Sequence, residues 1–157
     1  MQWKVHGERP IYTSKWVNLW LVDVELPDGQ RFEHHVVRMQ PVAAAAVIDD
    51  QRRVLMLWRH RFITGTWGWE IPTGIVDPDE TTAQTAAREV EEETGWRPGP
   101  LTPLVSYEPT NGITDSRHHS SGPTAPPTRA RRRTLPRPTE SNGYRWPRFA
   151  RSSPKAS

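Results

Sequence analysis

The chain contains no cysteine. That excludes a disulfide framework, a thiolate metal site and a cysteine nucleophile, and a reducing cytoplasm is the compartment it fits most simply. No run of about 18 consecutive apolar residues occurs, so no membrane-spanning helix is expected. Met1–Lys4 leads into no apolar core of a signal peptide. A nucleophile-elbow motif is also missing, and with it any support for covalent catalysis.

What is present divides unevenly along 157 residues with a formal net charge of +3. Such a length suits one domain with a real core. Residues 1–119 hold 12 Lys/Arg against 17 Asp/Glu, a net of −5, whereas residues 120–157 hold nine against one, a net of +8. The basic character therefore belongs to the last segment alone, which also carries 7 of the 16 prolines and few large apolar residues. A segment of this kind buries too little apolar surface to offset its ordering entropy. The overall charge accordingly implies no nucleic-acid partner.

Local patterns read as a β-rich chain with one helix. Trp16–Leu26 and Arg31–Met39 form a hairpin about the turn Pro27-Asp28-Gly29-Gln30. Val42–Ile48, Val54–Trp58 and Trp67–Ile71 follow as strands, the last running into Pro72-Thr73-Gly74, where a tight turn is expected of Gly74. Thr81 and Gln84 make a capping box, Ala83, Ala86, Ala87, Val90 and Thr94 recur at helical spacing, and Gly95 stops the helix. Leu104–Tyr107 adds a further strand.

On that helix Glu89, Glu92 and Glu93 share one face at i, i+3 and i+4. A structural helix would interleave cations at those positions. This one gathers oxygen ligands of the kind that hard divalent cations such as Mg2+ or Mn2+ require, although an ordinary acidic surface explains most Glu-rich helices. The surrounding residues decide between the two. Gly74, Glu80 and the run Arg88-Glu89-Val90-Glu91-Glu92-Glu93-Thr94-Gly95-Trp96 match every fixed position of the Nudix box, G-x5-E-x7-R-E-U-x-E-E-x-G-U with U apolar. Trp96 stands where a bulky aliphatic residue is usual.

The resemblance implies a Nudix-type α/β/α sandwich with a mixed sheet and an N-terminal antiparallel hairpin. It implies hydrolysis of a nucleoside diphosphate linked to another group, with Mg2+ or Mn2+ held by Glu89, Glu92, Glu93 and the Thr73 carbonyl. Glu80 is expected to pair with Arg88, and Glu92, Glu93 and Arg88 are the catalytic candidates. Further, Trp58-Arg59-His60-Arg61 and Trp69-Glu70-Ile71-Pro72-Thr73-Gly74 are similar to the QxR and WELPAG patterns of ADP-ribose and nucleotide-sugar pyrophosphatases. That similarity makes Arg59, Arg61, Glu70 and Trp69 substrate-binding candidates and implies a homodimer through the N-terminal strands. A MutT-like hydrolase of nucleoside triphosphates is the rival enzyme, and an inert remnant or nucleotide-binding protein the non-enzymatic one.

The resemblance covers roughly residues 8–119, giving an N-terminal hairpin region (1–40), a Nudix core (41–119) and a basic tail (120–157). The tail shows no helical or strand period and is expected to be disordered or read from a shifted frame. One permissible GC-rich choice of codons for Ser120–Ala125 (TCT TCC GGG CCG ACG GCG), taken one base earlier, gives an apolar residue followed by Phe-Arg-Ala-Asp-Gly, as a strand might continue.

Overall fold

The computed structural model describes residues 2–124, together with the backbone of 128–129 and 145–151. It comprises two compact units, Met1–Pro41 with Tyr107–His118, and Val42–Ser106 with His119–Ser157.

The first unit is an antiparallel sheet of β1 (Lys4–Thr13), β2 (Val17–Glu25) and β3 (Arg31–Met39) in that spatial order. The β2–β3 turn closes as its residues dictate. Gly29 takes φ +87°, the Gly29 amide donates to the Leu26 carbonyl at 2.9 Å, and Asp28 accepts from the Gln30 amide at 3.0 Å. Strand β1 departs from the sequence reading, which has no strand there: all ten of its residues are exposed, and Gly7 and Pro10 adjoin its register shifts, so it has no alternating pattern. Pairing to β2, the Lys4–Glu25 ion pair and a hydrogen bond between His6 Nε2 and Glu25 hold it instead. The segment 107–118 docks on β3, where the Val37 amide donates to the Ile113 carbonyl at 2.8 Å and Asp115 accepts from the Met39 amide at 2.9 Å.

The second unit is built on two sheets. One has the order β7 (Thr73–Ile75), β4 (Val42–Ala45), β10 (His118–Pro123), β9 (Leu101–Tyr107); the other has β12 (Arg145–Arg151), β5 (Arg53–Arg61), β6 (Thr66–Glu70). A short pair joins β8 (Trp96–Arg97) to β11 (Thr128–Arg129). Helix α1 (Thr82–Thr94) starts at the expected capping box, the Thr81 amide donating to Gln84 Oε1 at 2.8 Å and the Gln84 amide to Thr81 Oγ1 at 3.3 Å. It ends at Gly95, whose φ of 70° is left-handed and whose amide donates to the Glu91 carbonyl at 2.9 Å. Ala86 and Val90 of α1 are fully buried against Ala43, Ala45, Val47 and Leu55. Alanines on both sides of this contact let the helix lie close to β4, which is what brings its carboxylates to β7.

Strands beyond His119 are a departure from the sequence reading. β10 runs across that position, Ser121 is buried, and its carbonyl accepts from the Ala46 amide at 2.9 Å. Serine and glycine carry no hydrophobic period, but they suit a packed site: a Cβ on Gly122 would lie 2.9 Å from Leu104 Cδ1. Backbone pairing of β12 to β5 likewise needs only an available edge, and Pro147, which has no amide proton, sits at the register shift between Arg145 and Arg148. The Arg131-Arg132-Arg133 stretch, read as disordered or frame-shifted, lies outside the described residues.

Candidate active site

The site is assembled within the second unit, from β7, α1 and the β5–β6 hairpin. Ala43 and Ala44 of β4 pair with Gly74 and Thr73 of β7, fixing the strand beside the helix. Gly74 is there for space, not for a turn. It is part of β7 and is absent from the positive-φ glycines, but a Cβ on it would lie 2.1 Å from both Cδ and Oε1 of Glu89. The expected tight turn is thus replaced by a close approach of backbone to carboxylate.

Glu80 and Arg88 pair as expected. Arg88 Nε donates to Glu80 Oε1 at 2.9 Å and Nη2 to Oε2 at 3.0 Å, while Thr85 Oγ1, on a fully buried residue, donates to Oε2 at 2.8 Å. The remaining guanidinium nitrogen reaches Glu89 Oε1 at 2.8 Å and Glu92 Oε2 at 3.2 Å. One arginine therefore ties the loop before the helix to two helix carboxylates. Hydrogen bonds from Arg88 and then Thr85 hold the Glu80 carboxyl below the usual carboxylate range. A carboxyl depressed on folding stabilises above its unfolded pKa, and that contribution is lost as pH falls through the folded value. Glu80→Gln should therefore lower the urea midpoint at neutral pH, with the difference from wild type shrinking toward about pH 3. A difference that stays constant with pH would remove the charge from this account.

On β5, Arg59 and Arg61 share the strand face that carries buried Leu55 and Leu57. Arg59 Nη2 donates to Glu93 Oε1, and the two side chains are only 18% and 16% exposed. Burial pushes the Glu93 carboxyl up, and Arg59 works against that. Arg61 Nε donates to Glu70 Oε1 at 2.8 Å, and this hydrogen bonding holds Glu70 below the usual carboxylate range. Trp69 does not join this group. It pairs across from Trp58, and Trp58, His60, Trp67 and Trp69 make an aromatic ladder on the opposite face of the same two strands. Of the four substrate-binding candidates the structure brings Arg59, Arg61 and Glu70 together and leaves Trp69 apart. Glu91 also sits apart, paired with Arg97 at 2.9 Å.

The donor set suits a hard divalent cation. Among the described residues Glu93 Oε2 is buried without a hydrogen-bond partner, the Thr73 backbone acts with Arg59 to steady the Glu93 carboxylate, and the Glu89 carboxylate lies directly over the Gly74 backbone. Yet among the described residues no three His, Asp or Glu side chains converge as a metal cluster. Arginines span the carboxylates instead, Arg88 at Glu89 and Glu92, Arg59 at Glu93. The role of Arg59 as a carboxylate partner was not visible in the sequence, because the contact joins residues 34 apart.

A NUDIX domain model matches residues 38–152. The chain belongs to the NUDIX domain family. The match runs beyond His119, where the sequence resemblance was expected to end, and it spans β10 and β12. Among relatives, the chain is 48% identical over 119 residues to a CMP-5'-(N-acetyl-N-hydroxy-3-aminopropyl)phosphonate hydrolase of Streptomyces rubellomurinus, covering 76% of this chain and 58% of that protein. It is 29% identical over 116 residues to an ADP-ribose pyrophosphatase of Bacillus subtilis, covering 74% and 63%. The chain thus spans about six-tenths of the length of these curated relatives. A solved structure of an ADP compounds hydrolase shares the Nudix fold with a TM-score of 0.74 at 18% identity, over 88% of this chain and 75% of that one. No helix among the described residues is long and apolar enough to cross a membrane.

Proposed function

We propose that this Nudix chain is a divalent-metal-dependent hydrolase that cleaves the pyrophosphate-type bond of a nucleoside diphosphate derivative, with ADP-ribose as the leading substrate. The observation that carries the reading is the contact of Gly74 with Glu89, held from the other side by Arg88 and Glu80. It sets a helix carboxylate against bare backbone, a place where a phosphate-bound cation can be shared between protein and substrate. In this reading Glu89, Glu92, Glu93 and the Thr73 carbonyl hold the metal. When bound, Mg2+ or Mn2+ would neutralise the diphosphate and stabilise the departing phosphate.

The chain's own residues do the rest. Arg61, held by Glu70 and half exposed, offers a bidentate fork to a phosphate. Arg59 adds a second guanidinium on the same strand face. Glu92 and Glu93 lie at the reacting end of the helix, and Arg88 acts as a positioning residue through Glu80 and Glu89. The reading also includes a homodimer, supported by the exposed Trp3, Ile11, Tyr12 and Trp16 in and around β1. A cytoplasmic location is proposed on the lack of cysteine.

A second substrate reading has its own support. The relative at 48% identity is named for a nucleotide joined to a phosphonate, which makes a CMP-linked phosphonate a competitor of ADP-ribose. Incubating the full chain with Mg2+ or Mn2+ and ADP-ribose, a CMP-linked phosphonate or 8-oxo-dGTP, with chromatography of the products, decides among them. AMP with ribose 5-phosphate supports the leading reading, and CMP with free phosphonate supports the second. Pyrophosphate released from the triphosphate supports the MutT-like rival. A folded protein that turns over none of them overturns the enzyme reading, and a monomer in sedimentation at micromolar concentration overturns the dimer.

A further inference from the structure

We propose that Gly68 is a specificity-determining residue, the floor of a seat into which the substrate's diphosphate fits beside Arg61. The inference rests on the reading given above, in which Arg61 faces phosphate. It begins from a glycine that the fold does not explain. Gly68 is the middle residue of β6, where glycine weakens a strand and brings no side chain to pack. It is absent from the positive-φ glycines, so no turn requires it. Close approach does not require it either: a Cβ on Gly68 would meet nothing within 4 Å among the described residues, in contrast to Gly74 and Gly122. A mid-strand glycine over open space leaves room for something that is not part of the chain.

The charged groups around that space give it a ligand class. Arg59 lies directly across from Gly68 on β5, and the neighbouring rows of the same face are Arg61 with Thr66 and Leu57 with Glu70. Arg61 and Glu70 thus stand one row to either side of Gly68, and the ion pair between them crosses its row. Glu70 takes one edge of the guanidinium, at Nε and Nη2, which leaves the Nη1 edge outside that pair on a side chain 53% exposed. An oxyanion seated over the Gly68 backbone lies within reach of that edge, whereas any side chain at position 68 would project into its place. Phosphate suits such an edge, because a planar guanidinium matches two of its oxygens at once. The ties of Arg59 and Glu93 stay as they are.

Binding of inorganic pyrophosphate to the full chain with Mg2+, followed by isothermal titration calorimetry, tests the seat. Gly68→Val is expected to weaken it about tenfold and Gly68→Ala roughly threefold, because each added carbon takes space from the ligand. Valine suits a strand better than glycine, so the melting temperature of Gly68→Val should hold or rise while affinity falls. With ADP-ribose the loss should appear in KM and not in kcat, as for binding shared by ground and transition states. A merely structural glycine gives unchanged affinity and KM in both folded variants, and that result overturns the inference while leaving the hydrolase reading intact. Adding Gly68→Val to Glu70→Gln checks that the effect does not run through the ion pair. The loss is expected to persist there, and its disappearance overturns the seat. Should Gly68→Val fail to fold, Gly68→Ala decides alone, with unchanged affinity the overturning result. Absence of both pyrophosphate binding and turnover in the wild type overturns both readings.

Discussion

Replacing Glu93 by glutamine is expected to reduce kcat by about a thousandfold or more, the scale of losing a group that stabilises transition-state charge. The same change should also destabilise the fold. Glutamine keeps the shape but removes the negative charge, leaving the Arg59 guanidinium, 18% exposed, beside a neutral amide. Breaking a buried ion pair from one side costs about 3–5 kcal/mol, and the residual exposure of this pair places the expected loss near the lower end. The double variant Glu93→Gln with Arg59→Gln separates the two effects, because it removes both members of the ion pair without restoring the carboxylate. Thermal stability should recover toward wild type while activity does not. Turnover within tenfold of wild type in the single variant would remove Glu93 from the chemistry.

Gly74→Ala is expected to give the opposite combination, a large loss of activity with little loss of stability. The added methyl would lie 2.1 Å from Cδ and Oε1 and 2.5 Å from Cγ of Glu89, all atoms of a flexible side chain and none of them backbone. Glu89 can rotate out of the way, so the melting temperature should stay within a few degrees of wild type. The displaced carboxylate is, however, the one proposed to hold metal against β7. Misplacing a group at the reacting centre by about 1 Å typically costs around a hundredfold in rate, and kcat should fall by at least that factor. Unfolding of the variant would show that Glu89 has no room to yield, and normal activity would show that its position over Gly74 is immaterial.

These two predictions differ in how far they were legible from sequence. Helix α1 was readable almost to its ends, because the signals are local: Thr81 and Gln84 bond each other across three positions, and Gly95 sits where a left-handed residue is needed. The spacing from Gly74 through Gly95 also sufficed to bring Glu80 onto Arg88. Long-range facts were not legible. Strand β1 is exposed throughout and has no alternation to detect, and β10 is made of His, Ser, Gly and Pro, which take their place from neighbouring strands. The requirement for glycine at position 74 was readable, but its reason was not, since it depends on where the Glu89 side chain falls. The resemblance to the WELPAG pattern makes Trp69 and Glu70 candidates together, yet adjacent residues of a strand point to opposite faces. Arg59 met Glu93 only because the β5 face with Leu57 packs inward.

The aromatic ladder behind the arginines has an optical consequence. Trp58 and Trp67 stack with ring centroids 6.1 Å apart and planes 18° from parallel, close enough for their electronic transitions to couple into a paired circular-dichroism band. Trp58 is the immediate neighbour of Arg59 on β5, so any twist of that strand changes the angle between the two indoles. The protein thereby carries its own chromophore pair on the back of the hairpin whose front face holds the charged groups. The sign and amplitude of that band would report the state of the β5–β6 hairpin without a label, a substrate or turnover.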